Sequence, residues 1–158
     1  MHMPHLFPGL CGLLVGLGTL VLVWIVVNWR TENAEYFNFD ALGEKGAFEK
    51  FLPIYVRAAE FIVGLASGSI VLLVGSSAFR ASGRLPWFFA SPLFALALSI
   101  VYGILFMVYE IFDYESYRHD PEGKYYRRNK YVRNQTLGFG ALLCFCTGYL
   151  WLIVIVTR

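Results

Sequence analysis

The composition of this 158-residue chain is typical of a membrane protein, because 58% of the residues are hydrophobic and only 15% are charged, against about 25% charged residues in soluble domains. The net charge of +2 is small and no stretch reads as a recognition module, which argues against nucleic acid as a partner. Four apolar runs, each long enough to cross a bilayer, explain the composition. They predict an all-α, integral membrane four-helix bundle. We expect one multi-pass domain over residues 1–158, with helices at about 8–29, 53–79, 86–110 and 136–156 and the lipid bilayer around it.

The first apolar run, Leu6–Trp29, predicts a retained helix and not a cleaved signal peptide. No Lys or Arg precedes it, and no small-x-small cleavage site follows it. Gly12 and Gly16 form a GxxxG pair, which lets another helix backbone approach closely. Arg30 and the tryptophans near the end of the run are typical of a membrane interface.

The first long connection, residues 31–52, mixes aromatic and charged side chains. It is too aromatic for a disordered linker, so we expect one or two short amphipathic turns on the membrane surface. A docking surface for a partner is the alternative interpretation.

The second apolar run carries a glycine face. Gly64, Gly68 and Gly75 share one side of the predicted helix with Glu60, and Gly64 and Gly68 form a second GxxxG pair. We expect this face to pack closely against the first helix around its own GxxxG pair, or against another subunit.

Glu60 is the best chemical candidate, because an ionisable residue inside a span is by default a functional hypothesis. It would take up a proton or bind a polar head group. The alternative is that Arg57, three residues earlier on the same surface, neutralises it near the membrane surface. We expect Glu60 to pair with Arg57 or with a polar group on a neighbouring helix.

The second and third helices are joined by the short segment 80–84, which predicts an antiparallel hairpin. The later connection, between the third and fourth helices, separates its charges by sign. Acids follow the third helix and bases precede the fourth, with a Pro-Glu-Gly turn at 121–123 between them. We expect both helices to extend beyond the membrane as a charged hairpin with exposed pairs; the alternative is a solvated loop. The acids are Glu110, Asp113 and Glu115, and the bases are Arg127, Arg128, Lys130 and Arg133.

The positive-inside rule predicts that both long connections lie in the cytoplasm. They and the adjoining helix ends contain ten Lys and Arg residues, whereas the opposite side contains three. The Asn134-Gln-Thr136 sequon abuts the fourth helix, so we do not expect it to be glycosylated.

No catalytic, metal-binding or cofactor-binding constellation is visible in the sequence. Cys144 and Cys146 are two apart on a helix and point away from each other, so they do not share a metal. All three histidines lie outside the spans, which argues against haem. We therefore predict no cofactor.

Between residues 38 and 80 the chain resembles the DoxX-like family of four-helix membrane proteins. The similarity consists of the segment FNFDALGEKGAFEKF, the span with Glu60, Gly64 and Gly75, and the pair Phe79-Arg80. The resemblance implies a subunit of a quinone-linked oxidoreductase or a membrane chaperone-like relative. The size and four short-linked spans are also similar in architecture to MARVEL-type tetraspan proteins.

We expect a structural function: a membrane accessory, assembly or scaffold subunit without its own active site, which binds other membrane subunits. The alternative is a DoxX-like redox subunit that binds quinone near Glu60. A small channel or transporter is a further alternative, but it requires polar residues on several spans at one depth, and few are present.

Overall fold

The computed structural model describes residues 6–32, 47–76, 86–119 and 128–157, and these ranges are almost entirely helical. The helices are α1 (Leu6–Arg30), α2 (Ala47–Val74), α3 (Ala90–His119) and α4 (Arg128–Thr157), with a short 3-10 turn at Trp87–Phe89 before α3. Each of the four is long and apolar enough to cross a membrane by length and composition. The described residues contain no strand, which confirms an all-α, four-helix fold.

On the side of the long connections, α3 continues to His119 and α4 begins at Arg128. Both helices extend past the span limits of 110 and 136, which confirms the expectation that they continue into the second connection. Helix α2 begins at Ala47, which places Pro53 inside the helix and not at its entrance. The predicted surface turns between α1 and α2 otherwise fall outside the described residues.

The second helix ends at Val74, earlier than the predicted limit of 79. Gly75 forms a turn whose N–H donates to the Val71 carbonyl at 2.8 Å. The Ser76 hydroxyl then donates to the Leu73 carbonyl at 2.6 Å. These bonds satisfy carbonyl groups that a helix end leaves open, so Gly75 lies in the turn that closes α2.

The centre of the bundle is α3, which packs against all three other helices and most extensively against α4. Leu96 and Ser99 of α3 are fully buried, as is Cys144 of α4. The α2–α3 pair is antiparallel, because Ile70 and Leu73 of α2 share one cluster with Phe89 near the start of α3. The predicted hairpin is therefore present.

Small residues allow the helices to approach closely at specific points. A Cβ added at Gly12 of α1 would overlap the Ser91 carbonyl oxygen and lie 2.9 Å from the Ser91 Cα. A Cβ at Gly148 of α4 would lie 3.2 Å from the Pro92 carbonyl oxygen. Both neighbours belong to the first turns of α3, so glycine keeps α1 and α4 close to that end of the central helix.

Candidate functional site

The two GxxxG pairs do not pack against each other. Gly12 and Gly16 of α1 contact Ser91, Phe94 and Leu98 of α3. A Cβ added at Gly64 or Gly68 would meet nothing within 4 Å among the described residues. The expected contact between these glycines of α2 and the first helix is therefore wrong. The partner of α1 is α3, because α3 occupies the centre of the bundle; contact of α2 with another subunit stays a prediction.

Arg57 and Glu60 also lie on the open side of α2. Both side chains are exposed, and no ion pair joins them in the described part of the chain. The buried side of α2 is formed instead by residues such as Ala59 and Ala66, and Ala66 packs against Leu96 of α3. The described contacts contain neither the expected Arg57–Glu60 pair nor a pair between Glu60 and a neighbouring helix, so this expectation is wrong for the described residues.

The densest group of charges lies between α3 and α4, and it centres on Asp113. The Asp113 carboxylate accepts a hydrogen bond from Arg133 Nη2 at 2.7 Å and one from Asn134 Nδ2 at 3.0 Å. Lys130 Nζ lies 3.2 Å from its other oxygen. The Arg133 guanidinium is also stacked 3.9 Å from the ring centroid of Tyr109, a cation–π arrangement. Together these contacts join the end of α3 to the start of α4.

Glu110, one turn before Asp113, completes this charge cluster. Its side chain is 4% exposed, with Asn134 as a hydrogen-bond partner and Asp113 and Arg133 as charged neighbours. Its Oε2 atom is buried without a hydrogen-bond partner among the described residues. The formal charges of Glu110, Asp113, Lys130 and Arg133 cancel. The cluster therefore lacks the excess negative charge that a bound cation needs, and its geometry fits a clamp between two helices.

The predicted charged hairpin is confirmed for Asp113, which pairs with Lys130 and Arg133. The pairs were expected to be exposed, and this part is wrong, because Asp113 is only 6% exposed. Arg128, another of the candidate bases, donates instead from Nη2 to the backbone carbonyl of Asn28 at 2.9 Å and to the Asn28 side-chain oxygen at 2.8 Å. Arg128 therefore connects α4 to α1. The predicted turn at 121–123 and Arg127 lie outside the described residues, and Glu115 is exposed.

Deeper in the bundle, single polar contacts cross between helices. The Ser99 hydroxyl of α3 donates to the Ala141 carbonyl of α4 at 2.7 Å. Thr19 of α1 lies 3.2 Å from the Cys144 sulfur. The Tyr102 hydroxyl is buried without a partner among the described residues. No group of three or more potential metal ligands is found in the described ranges.

A cleft opens on the side of the bundle between α1, α2 and α4, with a volume of about 660 Å³. It runs along α1 from Leu22 to Thr31 and is closed at the back by α4 between Tyr131 and Leu143. A smaller chamber of about 190 Å³ lies beside it between α2, α3 and α4. Tyr55, Gln135, Phe139 and Leu142 border both spaces. Glu60 lines neither of them.

Sequence reasoning missed Asn134 as a structural residue, although it is fully buried and bonded to Asp113. The expectation that the sequon is not glycosylated stays a prediction. The sequence did contain a signal for the buried face of α3, the helix that Asn134 contacts. The residues concerned follow one another at intervals of three or four: Ser99, Tyr102, Phe106, Glu110 and Asp113. This spacing marks one face of a helix, and all five residues are buried.

Comparison with protein families, with curated proteins and with solved structures finds no match to this chain. The fold and the contacts described above are therefore the basis for any functional proposal. The resemblances to DoxX-like and MARVEL-type proteins stay predictions.

Proposed function

We propose that this protein is a multi-pass integral membrane subunit with an accessory, assembly or scaffold role, and that α2 is its docking helix. The observation that carries the proposal is the open side of α2. Arg57, Gly64 and Gly68 are separated by seven and four residues, so they lie on one face. All three are exposed. The glycines have no described neighbour within 4 Å of an added Cβ.

The charge on this face favours a protein partner over lipid. Glu60 is the ninth residue of the candidate span Leu52–Val74, about 12 Å along the helix at ~1.5 Å per residue. Placing an ionised side chain against hydrocarbon costs about 2.5–3.5 kcal/mol at the centre of a span. A partner helix that supplies a donor or a positive charge to Glu60 removes part of this cost. The glycines below it let the partner backbone approach closely.

The other helices support an architectural role for the rest of the chain. The α3–α4 pair forms a clamped core through Asp113, and α1 is fixed to that core by Gly12 and Arg128. Of the four candidate spans, α2 has the smallest buried share, 11%. The helix that is least covered within the chain is therefore the one best suited to contact another subunit.

The test replaces Gly64 or Gly68 by leucine and measures co-purification of partner subunits from a mild detergent. We expect the monomer to stay folded, because nothing described lies beside either glycine, and the stoichiometric partner to be lost. Gly18→Leu is the matched control, since Gly18 of α1 also has no described neighbour within 4 Å. Unchanged assembly of both α2 variants would contradict the proposal.

The alternatives have less support from the geometry. A DoxX-like redox subunit needs a quinone site near Glu60, and Glu60 lines neither the cleft nor the chamber. Quinone extracted in stoichiometric amount from the purified protein would favour that alternative. A channel needs polar groups that face a pore, but the hydroxyls of Ser69 and Ser99 each donate to a backbone carbonyl, and Ser99 is fully buried between α3 and α4.

A further inference from the structure

The cleft between α1, α2 and α4 exists because both outer helices pack on the α3–α4 core and not extensively on each other in the described part of the chain. The residues along its length are apolar, among them Leu22 and Val26 of α1 and Phe139 and Leu142 of α4. Val26 and Phe139 are about half exposed, at 51% and 50%. The cleft is therefore an open-sided apolar groove that runs along the helices.

One end of the cleft is polar. Arg30 and Thr31 at the end of α1, Tyr55 of α2, and Tyr131 and Gln135 of α4 all line it. These residues lie at the side of the long connections, where α1 ends and α4 begins. A groove with apolar walls and a polar, cationic end has the chemistry of a site for an amphiphile.

The charged residue that lines that end is a cation, because Arg30 is exposed at the mouth. Arg128 bonds to Asn28 of α1 and does not line the cleft. Asp113, a nearby acid, is already neutralised by Lys130 and Arg133. Glu32 is exposed and does not line the cleft.

The size and shape of the cleft suit a lipid chain. The cleft extends from Leu22 to Thr31, ten residues and about 14 Å along the helix axis. It holds about 660 Å³, which is within the ~300–1,000 Å³ of small-molecule sites. A flexible acyl chain fits the shape and the apolar walls.

We propose that this cleft binds an anionic phospholipid from the surrounding leaflet. One acyl chain lies along α1 and α4, and the phosphate lies beside Arg30 at the polar end. Basic pockets between membrane helices are known to recognise anionic head groups in this way. The positive-inside count predicts that this end faces the cytoplasm, where anionic lipids are concentrated. This site is separate from the outer face of α2 and does not depend on a protein partner.

The test is native mass spectrometry of the full chain in dodecyl maltoside with equal amounts of dioleoyl-phosphatidylglycerol and dioleoyl-phosphatidylcholine. We expect the wild type to retain one phosphatidylglycerol molecule in preference to phosphatidylcholine. Arg30→Gln should lower that preference about fivefold, the effect of one basic side chain at a membrane surface, whereas Arg30→Lys should retain it. Arg57→Gln is the matched control, because Arg57 does not line the cleft.

A second pair of variants tests the acyl-chain groove independently of charge. Val26→Phe fills the cleft and should reduce binding of both lipids, whereas Val71→Phe, on an exposed position of α2 outside the cleft, should have no effect. Thermal unfolding of each variant verifies that it is folded. Equal retention of the two lipids by the wild type, or equal losses in Arg30→Gln and Arg57→Gln, would overturn the proposal.

Discussion

Arg133 of α4 donates a 2.7 Å hydrogen bond to Asp113 of α3, and this contact fixes the ends of the two helices that form the core. Asp113 is buried, whereas Arg133 is about one-third exposed, at 36%. The carboxylate therefore depends on its partners more than the guanidinium does. Asn134 and Lys130 bind the same carboxylate. The contact therefore belongs to a network, and the energies of its individual contacts are not additive.

Replacing Asp113 by asparagine should destabilise the bundle by about 1–3 kcal/mol, since it removes a buried acceptor and leaves two cations unpaired. Because Arg133 and Lys130 are partly exposed to solvent, the loss of stability should stay below the ~3–5 kcal/mol that breaking a fully buried ion pair costs. Unfolding in mixed detergent micelles measures the change. Glu115→Gln, at an exposed position of the same helix, should change stability by less than about 0.5 kcal/mol, and an equal effect of both variants would disprove the role of Asp113.

Alanine at Gly12 and at Gly18 should change stability in opposite directions. At Gly12 the added Cβ overlaps the backbone of Ser91, so α1 must move away from α3, at a cost of about 1–3 kcal/mol. At Gly18 nothing described lies within 4 Å, and alanine should stabilise the helix by up to about 1 kcal/mol. Unfolding measurements on the two variants give the sign of each change in stability. Stabilisation by Gly12→Ala would refute the close contact between α1 and α3.

Arg57 and Glu60 should not be coupled in the isolated chain. Both are exposed and no described contact joins them. A double-mutant cycle with Arg57→Gln and Glu60→Gln should therefore give an interaction energy below about 0.5 kcal/mol. The same cycle applied to partner co-purification should show a loss for Glu60→Gln, because the proposed partner helix contacts this face. Strong coupling in the monomer would show that the two side chains pair with each other.

The sidedness prediction follows from the distribution of Lys and Arg and is independent of the helix packing. In a background without the three native cysteines, His119→Cys and Thr157→Cys place thiols at opposite ends of the core helices, and both positions are exposed. In intact cells an impermeant maleimide should label Thr157→Cys and not His119→Cys, because both long connections are expected in the cytoplasm. The reverse labelling pattern would place those connections outside.

The number and type of helices followed directly from the four apolar runs, because a long uncharged segment has few alternatives to a spanning helix. In the second long connection, acids follow the third helix and bases precede the fourth. This separation also predicted that acids of α3 would meet bases of α4, and Asp113 does so. The charge pattern did not predict how deeply Asp113 is buried. Whether Asp113 is buried depends on the rotation of α3 about its axis, and neighbouring helices decide that rotation.

Partner choice among helices was the main failure of sequence reasoning. A GxxxG pair shows that a backbone can be approached closely, but it does not identify the approaching helix. Gly12 packs on Ser91 of α3 while Gly64 stays open. On α4, Gly140, Cys144 and Gly148 recur every four residues and are all buried. That spacing was a better guide to the core than the two glycine pairs of the first half.

The central position of α3 has a consequence for biogenesis. The contacts that hold α1, at Ser91 and at Arg128, lie far downstream in the chain. During synthesis α1 and α2 therefore leave the ribosome before the described helices on which they mainly pack exist. α1 and α2 must remain in the insertion machinery or in lipid as separate helices, so a nascent chain arrested after Val74 should be fully accessible to helix-directed crosslinkers and to quality-control proteases.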